Sequence, residues 1–334
     1  MDVQAGRMPL LLSDRADHVS PLPLVTTAEG RMLGIAFTPD RWVRVRRGVY
    51  VERLSFEALP PWRRYAVRVH AFTKKHPDAV LCLESAAVLH GLPLFGEPRD
   101  VHVYDASRSS SWRHSDVCVH TSEDDRAVQA VGGIRVTAFG DTVIDLARVL
   151  PPAQGLALAD AAASAAQGGM VSIGELHARS AEQRNTRGRA RLRWVWEHAD
   201  ARAESPAESV SRAVILWSGF EVPELQREFR YEGERDRTDF HFPSCGAIGE
   251  SDGWQKYGLG DADAAARLLA EEKRREDRLR RNGHPFARWD LRDALQVVPL
   301  SRALMAAGVP RLRAAQPAML ATLRRRPREK HSSA

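Results

Sequence analysis

The stretch Arg237-Thr-Asp-Phe-His-Phe-Pro-Ser-Cys-Gly-Ala-Ile-Gly-Glu-Ser-Asp-Gly253 constrains this chain more than any other. Two strand-like runs flank Pro243 to Gly246, and four residues is a common hairpin loop length. Closing the hairpin there pairs Phe242 with Ala247 and, by strand parity, sets Asp239 opposite Glu250. Directly opposed carboxylates, with Cβ atoms about 4.5 to 5.5 Å apart, destabilise a sheet. A cation or a proton must therefore lie between them. Parity also puts Asp252 on the face of Glu250, and His241 on that of Asp239. Gly253 then lets the chain turn, and Lys256 lies within reach beyond it. Glu208, on a preceding helix, can point at the same sheet edge. An oxygen-rich cluster with one ammonium suits Mg²⁺ and phosphodiester cleavage. The candidate catalytic residues are thus Asp239, Glu250, Lys256, Glu208 and Asp252, with Asp239 and Glu250 as the metal ligands.

The elements around this hairpin are legible. Ser205 can cap a helix with Pro206 in its first turn, and Ala207, Val210, Ala213, Val214 and Trp217 keep helical spacing until Gly219. Strands are expected over 225–231, 237–242 and 247–250, a charged helix over 264–281 ended by Asn282-Gly283, and a last strand over 286–289. Helix, three strands, helix and strand make an α/β unit of about 90 residues, an ordinary small-domain size.

Charge is concentrated elsewhere. The chain has 334 residues, with 49 Lys and Arg against 43 Asp and Glu. The segment from Arg31 to Lys75 holds eleven basic residues against three acids, more than the excess of the whole chain. At its centre, Val43 and Val45 alternate with Arg44 and Arg46 before Arg47-Gly48, which reads as a half-buried basic hairpin. Short helical turns upstream, between Leu24 and Ile35, complete the layout of a winged helix with Arg44, Arg46 and Arg47 on its wing. From Pro61 to about Leu150 helices alternate with short strands, the strands falling near 101–104, 117–120 and 134–137. Helices follow over 142–150, 156–166 and 172–179. Seven arginines between Arg179 and Arg202 suit an exposed helix or linker.

The fold class is therefore α/β (α+β), divided as 1–60 (winged-helix-like, DNA-binding), 61–180 (mixed α/β), 181–203 (basic helical linker), 204–298 (mixed sheet flanked by helices) and 299–334 (helical, then a basic disordered tail). Apolar residues at 43% and charged residues at 28% exclude wholesale disorder. Three widely spaced cysteines, Cys82, Cys118 and Cys245, exclude a disulfide framework and a paired-cysteine zinc site. With no secretory or membrane-length apolar run, a cytoplasmic protein without a membrane partner is expected.

The ordered set of Glu208 on a helix, Thr-Asp239-Phe, and Glu250-Ser-Asp-Gly followed by Lys256-Tyr257 resembles the PD-(D/E)XK nuclease superfamily, in its branch similar to very-short-patch-repair endonucleases. The resemblance covers about 204–295. It implies a restriction-endonuclease-like mixed sheet flanked by helices, Mg²⁺ as cofactor, Asp239 and Glu250 as its ligands and Glu208 as an accessory carboxylate. The family's E-X-K pattern would put a lysine where this chain has Asp252, so Lys256 stands in from a migrated position. Residues 20–150 resemble AbiEi-type antitoxins of toxin-antitoxin systems: Arg44-Val-Arg-Arg-Gly-Val-Tyr50 is similar to their wing, and Glu84-Ser-Ala-Ala-Val-Leu-His-Gly91 with Val101-His-Val103 to the segment after it. That implies DNA as a partner, and a cognate toxin as a possible second one. Two function classes follow: a Mg²⁺-dependent DNA endonuclease, or a DNA-binding regulator or antitoxin whose nuclease-like half is catalytically degenerate.

Overall fold

The structure, a computed structural model, describes residues 10–252, 262–324 and 328–329. It is an α/β fold with three separate sheets. After a helical turn, α1 (Leu12–Arg15), come β1 (Val25–Thr26), α2 (Thr27–Met32), β2 (Trp42–Arg46) and β3 (Val49–Glu52). Thr26 and Glu29 form a reciprocal capping box that starts α2. The hairpin β2–β3 turns at Arg47-Gly48, where Gly48 takes φ +73°, a left-handed value open to glycine without a Cβ clash. These strands form a small sheet in the order β1-β3-β2.

Helix α3 (Arg53–Ala58) leads to α4 (Pro61–Thr73), β4 (Val80–Leu81), α5 (Leu83–His90), β5 (Val101–Tyr104), β6 (Trp112–His114), β7 (Val117–His120), β8 (Val128–Val131), β9 (Ile134–Thr137) and α6 (Phe139–Val149). Their sheet has the order β6-β7-β5-β4-β9-β8. Its core brings Tyr65, Val69 and Phe72 of α4 against Leu81, Leu89, Val101 and Val136.

The chain continues through α7 (Pro152–Ala163), α8 (Ile173–Glu182), α9 (Arg189–His198), α10 (Pro206–Trp217), β10 (Glu224–Tyr231), β11 (Glu234–Phe242), β12 (Ala247–Asp252), α11 (Ala262–Arg281), β13 (Phe286–Asp290), α12 (Leu291–Gln296), α13 (Val298–Ala306) and α14 (Pro317–Leu320). The third sheet runs β10-β11-β12-β13, antiparallel except for the parallel pair β12–β13. A parallel neighbour needs a crossover connection, and α11 lies in it. Trp289 of β13 stacks on Phe240 and donates its indole N–H to Ser211 Oγ of α10 at 2.8 Å. Gly249 makes room for that ring, since a Cβ there would fall 2.6 Å from the indole.

The residues group into two compact units that do not follow a single cut in the sequence. Of the described residues, one unit holds Leu11–Val149 and Gly174–Leu192, together with Arg328 and Glu329; the other holds Leu150–Ile173, 193–252 and 262–324, together with Leu10. Residues 181–203 are not a solvated linker: Leu192, Val195 and Trp196 of α9 are buried. Helix α7 groups with the second unit because its alanine-rich surface lets α10 pack closely, and because Asp160, fully buried, pairs there with Arg212.

Candidate functional site

The hairpin register is Phe242↔Ala247, His241↔Ile248 and Phe240↔Gly249. The next positions on the two strands are Asp239 and Glu250. Asp239 Oδ2 accepts the backbone N–H of Ser251 at 2.8 Å. Both carboxylates are buried, Asp239 at 4% and Glu250 at 0% exposure. Burying a carboxylate demands a cation or strong donors. For Glu250 that demand is met in part by Arg275 of α11, whose Nη1 lies 3.1 Å from Glu250 Oε1 and also donates to the carbonyl of Arg237 at 2.9 Å. Arg278, one helical turn on, pairs in the same way with buried Asp236 through two bonds of 2.7 Å.

Glu208 occupies the first turn of α10. Its backbone N–H is capped by Ser205 Oγ, and its carboxylate accepts from the Ser205 hydroxyl at 2.8 Å and from the Glu204 N–H at 2.9 Å. The same carboxylate takes Nε2 of Gln226 at 3.0 Å. Gln226 has φ +54° and sits in β10 between the pairs Leu225↔Phe240 and Arg227↔Thr238, hence next to Asp239. Glu208 is thus hydrogen-bonded to Gln226 of β10, Gln226 flanks Asp239 on the neighbouring strand, and Asp239 and Glu250 follow the last paired residues of β11 and β12. Gln226 and Arg275 are the members that sequence reasoning missed. Gln226 carries no motif, and Arg275 is hidden in a helix rich in charge of both signs.

Asp252, at the end of β12, pairs with Arg288 Nε at 3.4 Å, and Arg288 also binds Glu272 and Glu276 of α11. The structure thus puts Asp252 in an ion-pair network with α11. Lys256 lies outside the described residues. Among the described residues no three His, Cys, Asp or Glu side chains converge closely enough to hold a metal ion. The donor set at Asp239 and Glu250 nevertheless fits Mg²⁺ in kind, because that ion is usually held by one or two carboxylates and keeps several waters.

The wing arginines separate into two groups. Arg44 and Arg47 are exposed on the hairpin. Arg46 turns inward, stacks over Phe72 at 5.1 Å and pairs with Asp116 at 2.9 Å. Two of the three wing arginines are thus exposed, while a ring and a carboxylate already engage Arg46. Beside the hairpin runs a groove of about 1130 Å³, lined among others by Arg44, Arg47, Arg135, Trp112 and His114. Of the helices expected before the wing, the one adjoining it is the six-residue α2.

Among the described residues no helix is long and apolar enough to cross a membrane. No protein-family model and no solved structure matches the chain. Two curated relatives do: the uncharacterized proteins MT2308 and Rv2248 of Mycobacterium tuberculosis, strains CDC 1551 / Oshkosh and ATCC 25618 / H37Rv. Each is 34% identical over 167 residues, which is 49% of this chain and 59% of the relative, so the chain matches less than two thirds of either relative's length.

Proposed function

We propose that the unit around β10–β13 is a Mg²⁺-dependent DNA endonuclease of the PD-(D/E)XK type, with the basic hairpin of the other unit contributing to DNA binding. The observation that carries this reading is the pair of buried carboxylates Asp239 and Glu250 at adjoining positions of β11 and β12, with buried Glu208 tied to the neighbouring β10 through Gln226. Mg²⁺ held at Asp239 and Glu250 would supply positive charge to the scissile phosphate and favour attack by water. The chain's own residues supply the rest. Ser251 N–H fixes the Asp239 carboxylate, and the Ser205 and Gln226 donors fix that of Glu208, so none has to reorganise when substrate charge arrives. Arg44 and Arg47 offer charge to the DNA backbone without reading sequence.

The second reading, a DNA-binding regulator or antitoxin with a degenerate nuclease site, is favoured by one specific contact. Arg275 already supplies a cation to Glu250. The deciding experiment incubates the chain with labelled double-stranded, single-stranded and mismatched DNA, with Mg²⁺ or with EDTA, beside Asp239→Asn and Glu250→Gln. Cleavage that needs Mg²⁺ and both carboxylates supports the enzyme. Binding without any metal-dependent cleavage leaves the regulator.

A further inference from the structure

The other unit has a buried carboxylate of its own. Glu84, in the first turn of α5, is 3% exposed and belongs to the unit built on the six-stranded sheet. Around it stands a fixed polar frame. The Tyr65 hydroxyl donates to the Asp100 carbonyl at 2.9 Å and meets Ser85 Oγ at 2.8 Å, and Ser85 Oγ in turn accepts the backbone N–H of His102. The His102 ring lies beside Glu84, with Nε2 3.4 Å from the carboxylate, and its Nδ1 meets His120 Nε2 at 2.9 Å. None of these groups is a permanent cation, and burial favours a neutral His102.

The cation comes from a distant part of the sequence. Arg328 sets its Nε and Nη2 on the two oxygens of Glu84, Nη2 at 2.6 Å, and brings Nη2 to 3.1 Å from His102 Nε2. A guanidinium only donates, so Nε2 of His102 accepts and its proton sits on Nδ1, facing His120. The backbone takes part too. Arg99 N–H donates to the Arg328 carbonyl at 2.7 Å, and Glu329 forms an antiparallel bridge with Pro98. Gly96, at φ +75°, leaves space for the Glu329 carboxylate, which would lie 2.4 Å from a Cβ there. Arg68 holds the receiving segment through the Pro98 carbonyl at 2.9 Å.

This combination of a two-oxygen acceptor, a ring nitrogen that accepts from the same guanidinium, and one edge for extended backbone selects a particular ligand. A lysine ammonium is a point charge and cannot satisfy both oxygens and the ring in one planar fork. We propose that this unit carries a guanidinium-recognition site for an extended arginine-bearing peptide, and that the chain's own Arg328-Glu329 is its resident ligand, held in cis as an exchangeable latch. The site goes beyond the nuclease reading and does not depend on it.

The test uses the full chain and a fluorescent peptide of the sequence Arg324 to Ala334. The Arg328→Ala chain, its site vacated, is expected to bind this peptide at least ten-fold more tightly than wild type, where the tail competes. A peptide with alanine at position 328 should not bind, one with lysine should bind at least ten-fold more weakly, and adding Glu84→Gln to the Arg328→Ala chain should abolish binding. Equal binding by wild type and Arg328→Ala, or equal binding of the alanine peptide, overturns the proposal. Should Arg328→Ala fail to fold, Arg328→Lys is followed by hydrogen exchange at the Arg99 amide. Faster exchange there than in wild type supports the latch, and unchanged protection overturns it.

Discussion

Arg275 Nη1 lies 3.1 Å from Oε1 of Glu250, a carboxylate with no solvent exposure. The counter-charge that the sequence led us to expect from a metal ion is supplied at Glu250, in part, by a side chain. A divalent cation at Glu250 would have to compete with this guanidinium, and such competition is measurable.

Replacing Arg275 with methionine keeps an unbranched apolar stem in place of the arginine's methylenes and removes the guanidinium charge. Breaking a buried ion pair from one side typically destabilises by about 3 to 5 kcal/mol, so a clear drop in the urea midpoint is expected. If Asp239 and Glu250 bind Mg²⁺, millimolar Mg²⁺ should restore more stability to Arg275→Met than it adds to wild type. Urea curves for both proteins with Mg²⁺ and with EDTA decide this, and identical responses to Mg²⁺ would rule out a metal at this pair.

Asp239 does two things that separate by substitution. As a hydrogen-bond acceptor it satisfies Ser251 N–H, and as a carboxylate it is a candidate metal ligand. Asp239→Asn, with its amide oxygen toward Ser251, keeps the first and loses the second, so it should fold close to wild type while losing DNA cleavage. Asp239→Ala leaves a buried N–H unsatisfied, at a cost of about 1 to 3 kcal/mol. Paired stability and cleavage measurements check the distinction, and equal stabilities for the two variants would show that the Ser251 contact contributes little.

The hairpin arginines should divide along the line drawn by their contacts. Neutralising Arg44 and Arg47 is expected to lower the slope of log affinity against log salt by about 1.8 if each neutralises one phosphate of a DNA duplex, with the melting temperature nearly unchanged. Arg46→Ala should instead lower the melting temperature, through loss of its contacts with Phe72 and Asp116, and affect the salt slope less. A slope unchanged in the double variant would move the DNA surface away from the hairpin.

Stability should fall with acid in a way traceable to His102. Burial, helped by the Arg328 charge and opposed by Glu84, lowers its pKa from an ordinary 6.5 to about 3. Glu84 is pushed up by burial, but the Arg328 charge, His102 and the Arg328 hydrogen bond outweigh that and hold it at about 2. In each case the unfolded chain takes up a proton at a pH where the folded chain does not, so stability is full above the unfolded value and declines below it. The window opens near 6.5 for the histidine and near 4.5 for the glutamate. Between pH 6 and 4 the stability difference between wild type and His102→Gln should shift by about 1.4 kcal/mol per pH unit in favour of the variant. Parallel pH profiles for the two proteins would show that His102 is not held neutral.

Much of the second unit is legible from local chemistry. The cap at Ser205, the Pro206 start of α10, the loop Pro243 to Gly246 and the Asn282-Gly283 stop each act within a few residues, and the elements form where those signals put them. Of the candidate site, strand parity reaches only the adjoining positions of Asp239 and Glu250. Gln226 reaches its place through a left-handed backbone turn, and Arg275 through the packing of α11 on the sheet. Neither leaves a periodic trace. The two-residue β4 and the polar β6, Trp112-Arg-His114, are strands because neighbours pair with them, which composition cannot show. The tail expected to be disordered is, at Arg328, held by an acceptor 244 residues earlier in the chain.

The alternation of chain segments between the two units bears on how such a protein is made and how it can be cut. Because the path leaves one unit and re-enters it more than once, neither is a cassette that a single gene junction could excise whole. A truncation at residue 203 would strip α7 of its partner α10 and leave Glu84 without its guanidinium. Synthesis meets the same constraint: the six-stranded sheet can form early, yet Glu84 waits through 244 residues for its counter-charge. Until then a neutral or hydrated Glu84 is the accessible state, and the unit that holds it is completed only once Arg328 has been made.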